Sequence, residues 1–230
     1  MKTIGLIGGM SWESSIEYYR LVNEGVKARL GGLHSAQCLM LSVDFAGIEA
    51  LQHAGHWDEA GRELEEAARS LERGGADCVV LCTNTMHKVA GAIQAAVHIP
   101  FLHIADATGS RVRAAGIQRI GLLGTRFTME EQFYKGRLEE NFGLQVLVPE
   151  TADREIVHRV IYQELVLGDI RPASRAEYVR ILGKLIEQGA EGVILGCTEI
   201  GLLVHDGDVG VPLFDTTRIH AQAAVDFALG

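Results

Sequence analysis

This sequence has few cysteines, no excess of positive charge and no long apolar run, and each shortage removes a class of protein. Four cysteines, at positions 38, 78, 82 and 197, are too few and too irregular for a disulfide framework in 230 residues, and they lack paired zinc-ligand spacings. A net charge of -9 works against nucleic acid or an anionic membrane as the main partner, and no basic patch with interleaved aromatics is present. No apolar stretch is long enough to span a bilayer, and the N-terminus enters a strand at once with no signal-peptide core. The expectation is a reduced, cytoplasmic protein. Two nucleotide signatures are missing as well. The dinucleotide fingerprint needs Gly-x-Gly-x-x-Gly where this chain has Gly5-x-x-Gly8-Gly9, and no Walker A sequence occurs.

What is present is a chain with 47% hydrophobic residues, the composition of a well-packed globular protein. Its most informative stretch is Gly192-Val-Ile-Leu-Gly-Cys-Thr-Glu-Ile-Gly201, an apolar run that stops at small polar residues. This pattern reads as a buried parallel strand whose carboxyl end opens into a loop, with Cys197 at the opening. Ligands of open α/β sheets bind beyond such strand ends, so the thiol is a candidate nucleophile or base. A small apolar core cysteine explains the local sequence equally well.

An internal echo bears on that choice. Gly75-Ala-Asp-Cys-Val-Val-Leu-Cys-Thr-Asn-Thr85 repeats the shape of Gly189-Ala-Glu-Gly-Val-Ile-Leu-Gly-Cys-Thr-Glu199 at a spacing of 114 residues, which sets Thr83 opposite Cys197. Ile4-Gly-Leu-Ile-Gly8 pairs similarly with Ile120-Gly-Leu-Leu-Gly124, and Ile99-Pro-Phe-Leu102 with Val211-Pro-Leu-Phe214. The fold expected is α/β, built as two similar Rossmann-like domains with parallel sheets. Residues 1-104 plus 216-230 would form the N-terminal domain and residues 105-215 the C-terminal one. If the copies are related by a pseudo-twofold axis, Thr83 and Cys197 approach a shared ligand from opposite sides.

Several further stretches carry chemistry or its imitation. The turn Gly8-Gly-Met-Ser11 precedes a helix capped by Ser11 or Ser14, and its amides suit a carboxylate as well as they suit a tight turn with no ligand. Thr83-Asn-Thr85 and Thr125-Arg-Phe-Thr128 likewise fit anion binding or ordinary capping. Asp44 reads as a polar strand end and Asp106 as a helix cap. Gln52 is placed in a loop over the strand ends. His53-x-x-His56 lacks a third ligand and is read as solvent-exposed loop histidines, so no metal is expected. Arg171, in the loop between two later helices, suits a carboxylate clamp or plain solvation.

Taken together, Gly8-Gly-Met-Ser, Thr83-Asn-Thr-Met-His87, Gly-Thr-x-x-Thr at 124 to 128 and Gly196-Cys-Thr-Glu199 resemble the aspartate/glutamate racemase superfamily over essentially the whole chain, closest to its cofactor-independent aspartate racemase branch. The resemblance implies an interdomain cleft in which two cysteines flank the α-carbon of an acidic amino acid, one removing a proton and the other supplying one. It implies no PLP, no metal and no other cofactor. In two-cysteine relatives the second cysteine faces the L enantiomer, which assigns Cys197 to L substrates as the main acid/base. Met10, Ser11, Asn84, Thr85, Thr125, Thr128 and Thr198 are the candidates to hold the α-carboxylate, and Arg171 or Gln52 the distal one. A thiolate at Cys197 near a helix N-terminus would have a lowered pKa.

The sequence departs from the family at the first cysteine, where Thr83 stands and Cys82 lies one residue earlier. Adjacent side chains of an extended segment point to opposite faces, so Cys82 should turn away if Thr83 faces the ligand. An alcohol relays or donates a proton but is a far poorer base than a thiolate. The expected activity is therefore aspartate or glutamate racemisation with one thiol and one alcohol. The alternatives are a one-cysteine decarboxylase or isomerase of the same superfamily, and a non-catalytic amino-acid-binding module. A homodimer is compatible with the sequence, which does not fix the oligomeric state.

Overall fold

The computed structural model describes all 230 residues. The chain divides into two compact units, Met1–Ile104 with His220–Gly230, and Ala105–Ile219. The last helix starts at Thr216, but its first turn stays with the second unit, so the return to the first falls at His220 rather than at 216. No helix is long and apolar enough to cross a membrane.

In the first unit, β1 (Ile4–Gly8) leads through α1 (Trp12–Leu30) to β2 (Cys38–Ser42). Helices α2 (Phe45–Ala54) and α3 (Trp57–Arg73) precede β3 (Cys78–Leu81). A 3-10 turn at Thr85–Val89 then runs into α4 (Ala90–Ala95) and β4 (Phe101–Leu102). The four strands are parallel in the order β2-β1-β3-β4. Side chains of β3 alternate between two cores, as the period of two requires. Val79 and Leu81 pack with Ile48, Leu64, Ala68 and Leu71 of α2 and α3, whereas Cys78, Val80 and Cys82 pack with Tyr18, Val22 and Val26 of α1. Leu64, Ala67, Ala68 and Leu71, set at helical spacing, form the buried face of α3.

The second unit repeats the plan. Helix α5 (Ile104–Ala114) leads to β5 (Arg119–Gly124), and α6 (Arg126–Glu130) and α7 (Lys135–Phe142) connect it to β6 (Gln145–Leu147). Helices α8 (Thr151–Gln163) and α9 (Pro172–Glu187) precede β7 (Gly192–Gly196), α10 (Ile200–Leu203), β8 (Leu213–Asp215) and α11 (Thr216–Leu229). Its strands are parallel in the order β6-β5-β7-β8. The registers match those of the first sheet. Ile4 pairs with Cys78 and Ile120 with Gly192; Val80 pairs with Leu102 and Ile194 with Phe214. The three sequence echoes are therefore β1, β3 and β4 of the first sheet and β5, β7 and β8 of the second. Helix α11 closes the first unit, where Ala221, Ala224 and Val225 join the core of Tyr18 and Cys82 and the His220 ring accepts from Tyr18 Oη at 2.8 Å.

Four local expectations need correction. Gln52 and His53 lie in α2, not in a loop: Asp44 caps this helix by accepting from the Ala46 amide at 3.2 Å, and Gly55 ends it in the left-handed conformation. His56 lies between α2 and α3, and both histidines are exposed beside Glu49 and Glu59. Asp106 does not cap α5. It sits inside the helix and receives a bidentate Arg137 guanidinium at 2.6 and 2.7 Å. Of the third echo, only Phe101–Leu102 and Leu213–Phe214 are strand, and Ile104 begins α5.

Candidate active site

The carboxyl ends of β1 and β3 bring together the first group of residues singled out from the sequence. Gly9 turns the chain with φ of 95°, and a Cβ there would come within 2.1 Å of the Val43 carbonyl oxygen. Only glycine meets both demands. Ser11 then caps α1, its Oγ accepting from the Ser14 amide at 3.4 Å and its carbonyl from Ser14 Oγ at 3.0 Å and Ser15 Oγ at 2.9 Å. Ser14 Oγ also donates to the Cys82 carbonyl at 3.3 Å, tying this turn to the end of β3. The Met10 side chain belongs to the core of Ile7 and Leu81, which leaves its backbone for any polar role.

Thr83 follows directly on that strand, and its amide donates to the Leu81 carbonyl at 2.9 Å. His87 fixes the residue from below. Its Nε2 accepts from the Ile104 amide at 3.2 Å, so the ring proton is on Nδ1, which donates to the Thr83 carbonyl at 2.8 Å. Cys82 points the other way: it is fully buried in the α1 core, its thiol faces the Val80 carbonyl, and burial pushes its pKa far up. Asn84 and Thr85 are buried at the start of the 3-10 turn, and Gln52 reaches the same turn with its amide 2.9 Å from Met86 Sδ.

In the second unit the ends of β5 and β7 carry the matching group. The strands approach so closely that a Cβ on Gly196 would lie 2.8 Å from the Leu123 carbonyl oxygen. Thr125 caps α6, its Oγ1 accepting from the Thr128 amide at 3.4 Å and lying 3.2 Å from Thr128 Oγ1. These hydroxyls are engaged with one another. Arg171 is more than half exposed and already pairs with Asp169 at 2.6 Å and Glu164 at 3.5 Å.

Cys197 lies two residues beyond Leu195, on the β7 face that packs against α8 and α9. Its Sγ donates to Glu199 Oε2 at 3.0 Å, and Thr198 Oγ1 donates to the same oxygen at 2.6 Å. The lowered pKa expected for this thiol is not found. Burial and then the Glu199 carboxylate hold it well above the ordinary thiol value, and α10, with four residues, has little dipole to oppose them. The resting group is a thiol. Glu199, itself almost fully buried, received no role from the sequence, where it appears only as the last letter of a motif. Its signal was the spacing: a carboxylate two residues after the cysteine, in the short link between β7 and α10.

Comparison with known proteins gives a consistent picture. A family model described as Asp/Glu/Hydantoin racemase matches residues 7–224. The fold is similar to that of a candidate Asp/Glu racemase from Yersinia pestis, 57% identical over the full length of both chains with a TM-score of 0.94. It is similar also to an aspartate racemase homologue from Pyrococcus horikoshii OT3, 34% identical with the same full coverage and a TM-score of 0.87. The broad specificity amino-acid racemase RacX of Bacillus subtilis is 24% identical over 175 residues, which is 73% of this chain and 72% of that protein.

Proposed function

Because this chain belongs to the Asp/Glu/hydantoin racemase family, we propose that it interconverts the enantiomers of aspartate, glutamate or both without PLP or metal. Cys197 is the main acid/base on the L-facing side of the α-carbon, and Thr83 is the weaker proton relay on the other side. The observation that carries this reading is the repeat itself. Leu81 pairs with Ile7 and Leu195 with Leu123, so the alcohol and the thiol each stand two residues past the same register point of equivalent sheets. A pair of proton-transfer groups at matching positions suits a reaction whose substrate and product are mirror images.

The chemistry sets what else is needed. An α-hydrogen beside a carboxylate is a weak acid, so the planar carbanion must be stabilised by donors while a base takes the proton. Backbone amides of the Gly8–Ser11 and Thr83–Thr85 segments, with Thr125, Thr128 and Thr198, are the proposed α-carboxylate donors. Since the hydroxyls of Ser11 and Thr125 already serve as caps and Thr128 Oγ1 lies against Thr125 Oγ1, the amides carry more of that task. Arg171 or Gln52 is proposed for the distal carboxylate, Arg171 requiring the substrate to compete with Asp169 and Glu164.

The protonated state of Cys197 also favours a second reading, in which the thiol only donates a proton to a carbanion left by departing carbon dioxide. The two are separated by incubating the protein with individual L-amino acids and with substituted malonates. Inversion of aspartate or glutamate by chiral chromatography supports racemisation. Carbon dioxide release from the malonates alone supports decarboxylation, and thermal stabilisation by acidic amino acids with neither product marks a binding module.

A further inference from the structure

Helix α1 carries an apolar face that its own unit does not use. Its core side is Ser14, Ser15, Tyr18, Val22 and Val26. At the helical turn of about 100° per residue, Trp12, Ile16, Tyr19, Asn23 and Leu30 fall within about 60° of one another and form a second stripe roughly 27 Å long. Trp12, Ile16 and Tyr19 are each more than half exposed, and Leu30 nearly half.

The stripe continues onto the sheet. Asn23 Oδ1 accepts from the Ala36 amide at 3.0 Å, which sets this flank of α1 beside the chain entering β2. That strand is an edge of its sheet. Met40 in it pairs with Leu6, whose side chain lies in the α1 core, so the exposed Met40 side chain rises on the same side as α1. Of the large apolar side chains exposed anywhere in the chain, only Leu167, Ile170 and Leu202 lie beyond residue 40. From this face we infer that a second copy of the chain docks on α1, the two helices running antiparallel about a twofold axis level with the middle of the stripe.

Area and charge select that occupant. At these exposures Trp12, Ile16, Tyr19, Leu30 and Met40 present roughly 600 Å² of mostly apolar surface. That is the upper end of the largest patch on a typical monomer and most of the ~800 Å² that each partner buries in a standard interface. Trp and Tyr are also the side chains that anchor interface centres. The antiparallel twofold sets Trp12 of each copy against Leu30 of the other, and Tyr19 against Asn23. It brings Glu13 and Glu17, in the first half of α1, toward Lys27 and Arg29 in the last turn of the second copy. A parallel pair would instead set each charge opposite its own copy and align the two helix dipoles. Arg20, near the middle, is already balanced by Glu17 and Glu24 of its own helix. The inference holds whatever reaction the chain catalyses.

Sedimentation equilibrium of the full chain across the micromolar range tests it. The wild type should be a dimer. Ile16→Glu and Tyr19→Glu, which leave the Ser11 turn untouched, should each weaken dimerisation by about 100-fold, the scale of a lost central anchor, with circular dichroism unchanged. The direction of the helices is read by cross-linking. Trp12→Cys and Leu30→Cys chains are mixed and treated with a short bismaleimide, and the linked peptides are identified by mass spectrometry because Cys38 is also partly accessible. Position 12 should link to position 30 of the other copy, and neither to itself. A monomeric wild type overturns the inference, as does a dimer that survives both glutamate substitutions. Links of 12 to 12 and 30 to 30 overturn the antiparallel arrangement. If both glutamate variants unfold, the cross-links decide alone: 12 to 30 supports the interface, and their absence refutes it.

Discussion

Thr83 and Cys197 stand at the same register of two equivalent sheets, each two residues past a leucine that pairs with the first strand of its unit. The side chains before them diverge in function for the same geometric reason. Cys82 falls on the opposite face and is buried among Tyr18, Val22 and Val26, whereas its counterpart Gly196 is pressed against β5.

Cys197→Ala should abolish turnover and leave the fold intact. The side chain is small and lies at the edge of its core, so the cost in stability should be about 1 kcal/mol. Chiral chromatography with circular dichroism on the same preparation checks this, and retained inversion would remove Cys197 from the chemistry.

Cys82→Ala should do the reverse. Its thiol is fully buried and held in the protonated state, so its removal should cost about 1–2 kcal/mol in urea unfolding and leave kcat/KM within a factor of two or so. A folded variant without activity would make Cys82 the missing second base.

Stability should fall from pH 7 to pH 5, in part through His220. Its ring is enclosed between the Tyr18 hydroxyl and the Leu102 carbonyl, and burial lowers its pKa from 6.5 to about 4. Between those values the unfolded chain binds a proton that the folded one refuses. This contribution is therefore neutral above the unfolded pKa and grows as pH falls toward the folded one, reaching about 2 kcal/mol near pH 5. Urea midpoints of wild type and His220→Gln across this range measure it. The variant, though less stable at pH 7, should show the shallower dependence.

Asp153 should matter for stability at α8. Its buried carboxylate accepts from Arg180 at 2.8 Å and Lys184 at 2.8 Å, and Arg180 above all holds its pKa below the usual carboxylate range. A depressed carboxylate stabilises the fold above its unfolded pKa and loses that contribution as pH falls through the folded one. Both cations are partly exposed and screened, so Asp153→Asn should cost about 1–2 kcal/mol at pH 7. Thermal unfolding should show the loss narrowing below about pH 3.

What the sequence disclosed were features set by local periodicity and by repetition. The period of two placed Cys82 and Thr83 on opposite faces, and the echo at 114 residues predicted the common register of β3 and β7. What it hid depended on contacts between distant residues. Asp106 looked like a cap because its partner, Arg137, is 31 positions away. Gln52 looked like a loop residue because a polar side chain interrupts the buried stripe of α2, where it sits against Met86. The Cys197 pKa was misjudged in sign because a helix N-terminus was expected where the structure provides a buried core and the Glu199 carboxylate.

The most direct measurement concerns Thr83. Enantiomers have equal free energy in water, so a racemase has the same kcat/KM in both directions, and Thr83 changes only the common value and the way each ground state binds. Cys197 should still remove and return a proton on its own side when inversion is blocked. Proton NMR of the α-position in deuterated water, alongside chiral chromatography, should show Thr83→Ala washing the α-hydrogen out of the L enantiomer while forming little D product. Thr83→Cys should raise kcat/KM for both enantiomers together, by restoring an ionisable acid/base. Racemisation by Thr83→Ala as fast as by wild type would contradict the role given to the alcohol and assign the opposite-face proton to water or another residue.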